Sequence, residues 1–216
     1  MKQYSLEDIL GLDQRYRATF MNSISGFKSL QMVATKNSLG KSNIALFNSI
    51  FHIGANPPYI GFVVRPNGDQ HETLSNILSE KHYTLNNVLE SNFAAAHQTS
   101  ARYLTTESEF ETCGFTEEYV DGFSAPFVKE ANIKIGLSLS ETLPVSLNNT
   151  TIIIGEVKYI LIEEDLVSAD GFVDMQKAGS VTAAGLDAYY TTNFLGRLSY
   201  AKPDVQPEFL NLNNSI

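Results

Sequence analysis

The sequence contains a single cysteine, Cys113, among its 216 residues. A lone cysteine excludes an intramolecular disulfide and a cysteine-rich metal site, and it is typical of proteins from a reducing compartment. No apolar run is long enough for a signal peptide or a membrane span. We therefore expect a cytoplasmic protein that makes no contact with a membrane.

Basic residues are also scarce. The chain has 15 Lys and Arg against 24 Asp and Glu, which gives a formal net charge of -9. Non-specific binding of nucleic acid needs a basic surface, so this composition disfavours a nucleic-acid partner. It does not exclude an anionic cofactor, because a helix N-terminus and a few local Arg or Lys residues can hold a phosphate.

Common catalytic and metal-binding motifs are absent from the sequence. No G-x-G-x-x-G follows a predicted strand, so a nicotinamide cofactor would have to bind without a Rossmann domain. No G-x-S-x-G is present either. The histidines form no H-x-H or H-E-x-x-H arrangement, and we predict no metal site. The four histidines are His52, His71, His82 and His97.

Strand patterns dominate the chain and helix patterns are few. Segments with strand patterning lie at residues 30–36, 42–50, 59–65, 82–88, 133–141 and 150–163. Gly155, in the middle of the last segment, predicts a bulge or a bend. Helix patterns lie at residues 71–79, 92–102 and 108–113, with a capping box at 5–8 before a short first helix and a loop over 20–29.

Many strands with few helices predict a mainly β fold built as an antiparallel barrel. A parallel α/β fold would need helices between its strands, and this chain mostly lacks them. The length suits one domain over residues 1–216, with an N-terminal helix and extension at 1–20 and a C-terminal extension at 190–216.

The stretch from residue 40 to residue 66, GKSNIALFNSIFHIGANPPYIGFVVRP, mixes short polar side chains into an apolar run. A strand that only builds core would alternate more cleanly. Ligand pockets combine apolar walls with a few polar groups, so this run can line a flat aromatic ligand. The alternative is a core strand that leaves the sheet through the Asn-Pro-Pro turn. The candidate wall residues are Asn43, Ile44, Ala45, Leu46, Phe47, Asn48 and Ser49.

The order and spacing of short motifs over roughly residues 22–200 resemble the flavin reductase-like, FMN-binding split-barrel family. The motifs are Ser42-Asn43-x-Ala45, Asn56-Pro57-Pro58, Val63-Val64-Arg65-Pro66, His71-Glu72-Thr73-Leu74-Ser75-Asn76, Ala169-Asp170-Gly171-Phe172-Val173-Asp174 and Ala184-Gly185-Leu186-Asp187-Ala188-Tyr189. Many members have Pro where this chain has Leu46, and Ser where it has Asn48. The resemblance implies a mainly β, six-stranded antiparallel Greek-key split barrel with helical additions, which usually forms a homodimer.

The resemblance also implies an activity. It predicts an FMN-binding flavoprotein that accepts hydride from NADH or NADPH and passes electrons to free flavin or to a redox partner protein. Two alternatives stay open. One is a flavoredoxin-like FMN electron carrier without nicotinamide activity of its own, and the other is a barrel that binds a small molecule without being an enzyme.

Four residues are candidate contacts for the cofactor phosphate. A hydroxyl at the start of a helix, as at Thr73, suits a phosphate, although a local hydrogen bond explains that hydroxyl equally well. The resemblance favours the phosphate. Arg65 ends a strand just before Thr73 and either pairs with the same phosphate or is a solvated charge. Ser100 and Arg102 are further phosphate candidates.

The remaining expectations concern the flavin ring and its cover. Under the resemblance, backbone groups and short side chains of residues 43–49 meet the isoalloxazine edge. The segment from Tyr189 to Tyr200 covers the pocket or forms the dimer seam, unless it packs on its own barrel.

Overall fold

The computed structural model describes residues 1–66, 72–104 and 106–210. Its helices are α1 (Leu6–Gly11), α2 (Gln14–Ser23), α3 (Glu72–Glu80), α4 (Phe93–Gln98) and α5 (Glu109–Cys113), with a 3-10 helix at Glu164–Leu166. Its strands are β1 (Lys28–Ser29), β2 (Gln31–Lys36), β3 (Ser42–Phe47), β4 (Phe51–Ala55), β5 (Pro58–Val64), β6 (His82–Asn87), β7 (Glu117–Glu118), β8 (Phe127–Val128), β9 (Ile133–Val145), β10 (Thr150–Ile162), β11 (Thr182–Ala184), β12 (Ala188–Tyr190), β13 (Arg197–Leu198) and β14 (Phe209–Leu210).

Seven antiparallel strands form the main sheet, in the order β3-β2-β6-β9-β10-β5-β4. Side chains from both halves of this sheet share one buried cluster, which includes Val33 of β2, Phe62 of β5, Tyr83 of β6, Leu137 of β9 and Ile153 of β10. Because β2 and β5 lie on opposite sides of the central β9–β10 hairpin, this shared core requires the sheet to curl around it as a barrel.

The other face of β2 packs against helices. Met32 and Ala34 alternate with Val33 and therefore point away from the barrel interior. They are buried in a second apolar cluster together with Ala96 of α4 and Phe110 of α5. These two short helices cover the outside of the barrel beside β3.

A side-chain bridge joins the end of β3 to β5. Ser49 Oγ accepts a hydrogen bond from the Val63 N–H at 3.1 Å and donates one to the Val63 carbonyl at 3.0 Å. The hydroxyl thus makes the two bonds that a neighbouring strand would otherwise make with Val63. The main chain turns at this point and returns as β4, which pairs with β5 along the edge that β10 leaves free.

The mainly β class predicted from the sequence is confirmed, but the barrel sheet has seven strands where six were expected. The predicted strand at 42–50 ends at Phe47, and residues Phe51–Ala55 form the additional strand β4. Four of the five β4 residues are exposed. An exposed edge strand shows no alternation of buried and exposed residues, and the sequence pattern therefore did not predict a strand at residues 51–55.

The predicted loop over 20–29 is wrong in part, because α2 continues to Ser23 and β1 occupies Lys28–Ser29. The Asp13 side chain caps α2 by accepting hydrogen bonds from the N–H groups of Arg15 and Tyr16. The capping box at 5–8 is confirmed. The helix predicted at 71–79 is α3, although His71 lies outside the described residues.

The described helices include none that is long and apolar enough to cross a membrane. The cytoplasmic location stays a prediction.

Gly155 has the predicted bulge beside it, because the register between β9 and β10 shifts at Ile154 and Gly155. A Cβ at Gly155 would lie 2.2 Å from Tyr83 Oη and 3.0 Å from Leu137 Cβ. The Tyr83 hydroxyl is buried and has no hydrogen-bond partner among the described residues. Burial raises the pKa of this hydroxyl. Only glycine leaves room for the tyrosine ring at this point.

Gly155→Ala should lower the free energy of unfolding by about 1–3 kcal/mol, because the added methyl group overpacks the barrel interior. In a Tyr83→Phe background the same substitution should cost less, because the atom nearest to the new methyl group is gone. Urea unfolding of the four proteins measures both effects. Gly11→Ala is the control, since nothing lies within 4 Å of a Cβ there. A Gly155→Ala protein as stable as the parent would contradict this account of the bulge.

Candidate functional site

A cavity of about 920 Å³ opens where the ends of β3 and β5 meet the β9–β10 hairpin and the segment between α2 and β1. Cofactor pockets commonly have volumes of about 300–1,000 Å³, so its size suits a cofactor. Its described lining residues are Ser25, Phe27, Lys28, Ser29, Asn48, Ser49, Ile50, Val63, Arg65, Pro66, Val145, Asn148, Thr150 and Ile152.

The cavity is positively charged in an acidic chain. Lys28 and Arg65 line it, and no Asp or Glu is among the described lining residues. Asn22 holds both cations, because Arg65 Nη2 donates to its side-chain oxygen at 3.0 Å and Lys28 Nζ donates to its carbonyl at 2.7 Å. Two cations fixed side by side suit an anionic group such as a phosphate.

Hydrogen bonds to distant segments fix the wall at the end of β3. Asn48 Nδ2 donates to the Gly185 carbonyl at 2.8 Å, which ties this wall to the loop between β11 and β12. Ser49 is held by Val63, as described above. Because both side chains are anchored, the cavity has a wall with polar groups in fixed positions before any ligand enters.

The structure brings together three of the predicted site residues, Asn48, Ser49 and Arg65, in the cavity lining. The other predicted wall residues are distributed along β3. Phe47 packs edge-on against Phe62 in the barrel core, with 5.0 Å between ring centroids. Leu46 packs against the outer apolar cluster. Ala45 is partly buried.

The first half of β3 lies in a different polar environment from the cavity. Asn43 and Ile44 are buried, and the Asn43 amide lies 3.1 Å from Thr73 Oγ1. Thr73 is also buried and is not among the lining residues of the cavity. Its role in phosphate binding stays a prediction, and residues 67–71, which precede it, lie outside the described residues.

Ser100 and Arg102 follow α4 on the surface, and neither is among the lining residues of the cavity. Nearby, His97 Nδ1 lies 2.5 Å from the Tyr189 hydroxyl. Burial, with a smaller contribution from the charge of Asp187, raises the pKa of Tyr189. The expected contribution of Ser100 and Arg102 to phosphate binding stays a prediction.

Sequence reasoning did not find Lys28, Asn22 or Glu109. Lys28 and Asn22 lie within the predicted loop at 20–29, and only the folded structure brings Lys28 and Arg65 together on Asn22. Glu109 is 8% exposed and packs against β3. A glutamate at the start of a short amphipathic helix usually faces solvent, so no local pattern marks it as buried. Among the described residues, no group of His, Cys, Asp and Glu is placed to hold a metal ion.

The family model described as Flavin reductase like domain matches residues 27–178. The crystal structure of a candidate flavin reductase with a split barrel domain from Shewanella frigidimarina NCIMB 400 is 43% identical, has a TM-score of 0.90, and covers 93% of this chain and 100% of that chain. The chain therefore belongs to the flavin reductase-like split-barrel family. This is an oxidoreductase family whose membership implies flavin binding.

Two more distant solved structures share the fold. Nitrilotriacetate monooxygenase component B from Bacillus cereus is 22% identical with a TM-score of 0.80, over 92% of this chain and 98% of that chain. Flavoredoxin of Desulfovibrio vulgaris (Miyazaki F) is 21% identical with a TM-score of 0.70, over 94% and 98% of the two chains. At these identities the likeness shows the fold alone.

The buried carboxyl of Glu109 should make stability depend on pH. Burial raises its pKa, and the charge of Glu72 adds to the rise, whereas the N–H of Ile44 and the charge of Lys41 oppose it. The folded protein therefore binds this proton more tightly than the unfolded chain does. The contribution to the unfolding free energy is then full below the unfolded pKa of about 4.3 and is lost as the pH rises through the raised value.

Glu109→Gln keeps a neutral side chain at every pH. The unfolding free energy of the parent minus that of this variant should therefore fall as the pH is raised from about 4 towards 7. Chemical unfolding at several pH values gives the difference, with Glu111→Gln, an exposed position on the same helix, as the control. A difference that stays constant over this range would show that Glu109 does not titrate as its burial requires.

Proposed function

We propose that this protein is an FMN-binding, NAD(P)H-dependent flavin oxidoreductase that passes electrons to free flavin or to a partner protein. The observation that carries the proposal is the cavity at the end of β3, where two tethered cations meet an anchored polar wall. Membership of the flavin reductase-like family supports the flavin. The cations support a ligand with a phosphate.

Arg65 and Lys28 would hold the phosphate of FMN. Asn22 accepts a hydrogen bond from each of them, so their positive charges lie in the same part of the cavity wall. The end of β3, with Asn48 and Ser49, would meet the polar edge of the ring through short side chains and backbone groups. When bound, FMN would supply the redox chemistry, taking two electrons as hydride from NADH or NADPH and giving them to the acceptor. The protein supplies binding and orientation.

Arg65→Gln should weaken FMN binding about 10- to 100-fold, because a charge-assisted hydrogen bond to the phosphate is lost. Riboflavin has no phosphate, so its affinity should change little. Titration of the folded protein with both flavins, followed by flavin fluorescence, measures the two constants. Arg15→Gln is the matched control, since Arg15 is exposed and is not part of the cavity lining. An equal loss of affinity for FMN and riboflavin would show that Arg65 does not contact the phosphate.

The reaction is tested by mixing the FMN-loaded protein with NADH or NADPH without oxygen. We expect the absorbance of the oxidised bound flavin to fall within the time of a catalytic cycle. The absorbance should return when free flavin is added, because the free flavin takes up the electrons. A protein that keeps FMN but is not reduced by either nucleotide would be an electron carrier. A protein that binds no flavin would be a small-molecule-binding barrel, which contradicts the proposal.

We also propose a homodimer, because the single chain leaves two apolar surfaces exposed. One is the helical arm of α1 and α2, which buries none of its own residues and exposes Leu6 and Leu10 by 72% and 62%. The other consists of apolar strand residues, among them Ile53 of β4 and Ile160 of β10, which are 43% and 61% exposed. In a two-fold symmetric dimer, the helical arm of each copy can pack on the exposed strand residues of the other copy.

Light scattering should give twice the chain mass of 23.9 kDa. Ile160→Lys should shift the equilibrium towards the single chain, because it places a charge in the apolar contact. Leu39→Lys is the control, at a 91% exposed position in the turn between β2 and β3. A parent protein that stays a single chain with FMN bound would contradict the dimer.

A further inference from the structure

The strand β3 is at an edge of the sheet, with β2 on one side and the start of α5 along the other. Ser108 Oγ donates a hydrogen bond to the Ser42 carbonyl at 3.2 Å and lies 3.1 Å from Ser42 Oγ. The Glu109 carboxylate accepts a hydrogen bond from the Ile44 N–H at 3.4 Å. Side chains at the start of α5 therefore take the place of a neighbouring strand along the first half of β3.

The outer edge of β3 differs between its two halves. Outward-facing backbone groups recur at every second residue of a strand, so those of Leu46 face the same side as the N–H of Ile44. No hydrogen bond to these Leu46 groups is found in the described part of the chain. At residues 42–44 the outer backbone groups are hydrogen-bonded by side chains at the start of α5, and we call this half of the edge closed. From Leu46 towards Asn48, where the cavity begins, the edge is open because these bonds are absent from the described residues.

The closed half is buried and well connected. Ser42 and Asn43 are each 5% exposed, and Ser42 Oγ also donates to Glu117 Oε1 at 2.5 Å. With its amide oxygen turned towards Ile44, Asn43 provides a second acceptor for the Ile44 N–H, at 3.2 Å. Buried polar groups are costly to leave unpaired, so contacts of this kind hold a strand in one position.

We infer that Ser108 and Glu109 are positioning residues for the flavin wall. They close the outer edge of β3 up to Ile44 and hold the strand where its open peptide groups, from Leu46 onwards, face the ring of the bound flavin. Neither residue lines the cavity, so both act through β3. This inference rests on the proposed function, because it assigns the ring to the end of β3.

The test compares three substitutions in the full-length protein. Glu109→Leu removes the acceptor of the Ile44 N–H bond while keeping a side chain of similar size. Ser108→Ala removes the hydroxyl that donates to the Ser42 carbonyl, and Glu109→Gln keeps an acceptor oxygen. We expect Glu109→Leu to raise the dissociation constant for FMN about 5- to 10-fold, as the loss of one hydrogen bond does, and to shift the absorption band of the bound flavin. Ser108→Ala should have a smaller effect in the same direction. Glu109→Gln should restore both values.

Hydrogen exchange of the β3 amides without flavin is the readout that does not depend on the cofactor. Exchange at Ile44 should rise in Glu109→Leu and stay at the parental level in Glu109→Gln. Glu111→Leu, exposed on the same helix, is the control. If Glu109→Leu fails to fold, Ser108→Ala and Glu109→Gln still decide the question through FMN affinity and exchange.

The outcomes separate this inference from the proposed function. Faster exchange at Ile44 together with unchanged FMN affinity and an unchanged flavin band would overturn the positioning role. An equal loss of FMN affinity in Glu111→Leu would overturn it as well. If the parent protein binds no flavin at all, the proposed function fails, whatever the exchange at Ile44 shows.

Discussion

The pair of hydrogen bonds between the Ser49 hydroxyl and the backbone of Val63 is the contact on which the site depends. It ends β3, turns the chain into β4 and brings the end of β3 beside the end of β5. The cavity lies at this junction, and its anchored wall and its Arg65 come from the two joined strands. The Ser49 side chain thus joins the ends of β3 and β5, and the same contact forms one wall of the cavity.

The electrostatics of the cavity depend on a second contact, the one between Asn22 and two cations. In a chain with a formal net charge of -9, binding an anion needs local positive charge that is protected from nearby carboxylates. Asn22 supplies this by holding Lys28 and Arg65 together from a segment that precedes the barrel. The segment from Asn22 to Lys28, which precedes the barrel sheet, therefore contributes to the cavity.

Most of the barrel could be predicted because its signals are local. The alternation of Ile133, Ile135, Leu137 and Leu139 marks β9, and Gly155 in an apolar strand marks the bulge beside Tyr83. The strand β4 was missed because exposed edge residues carry no burial pattern. Lys28, Asn22 and Glu109 were missed for another reason, since their roles come from contacts with residues far along the chain. Asn48, Ser49 and Arg65 were predicted as site residues from the mixed polar and apolar stretch at 40–66 together with the family resemblance, and the structure brings them together in one cavity.

The crystal structure of the protein with FMN tests the central claim most directly. The account predicts the phosphate against Arg65 and Lys28, with the polar edge of the ring along the end of β3 from Leu46 to Asn48. FMN bound instead on the surface that carries Ser100 and Arg102, or a cavity that remains without flavin at saturating FMN, would contradict it.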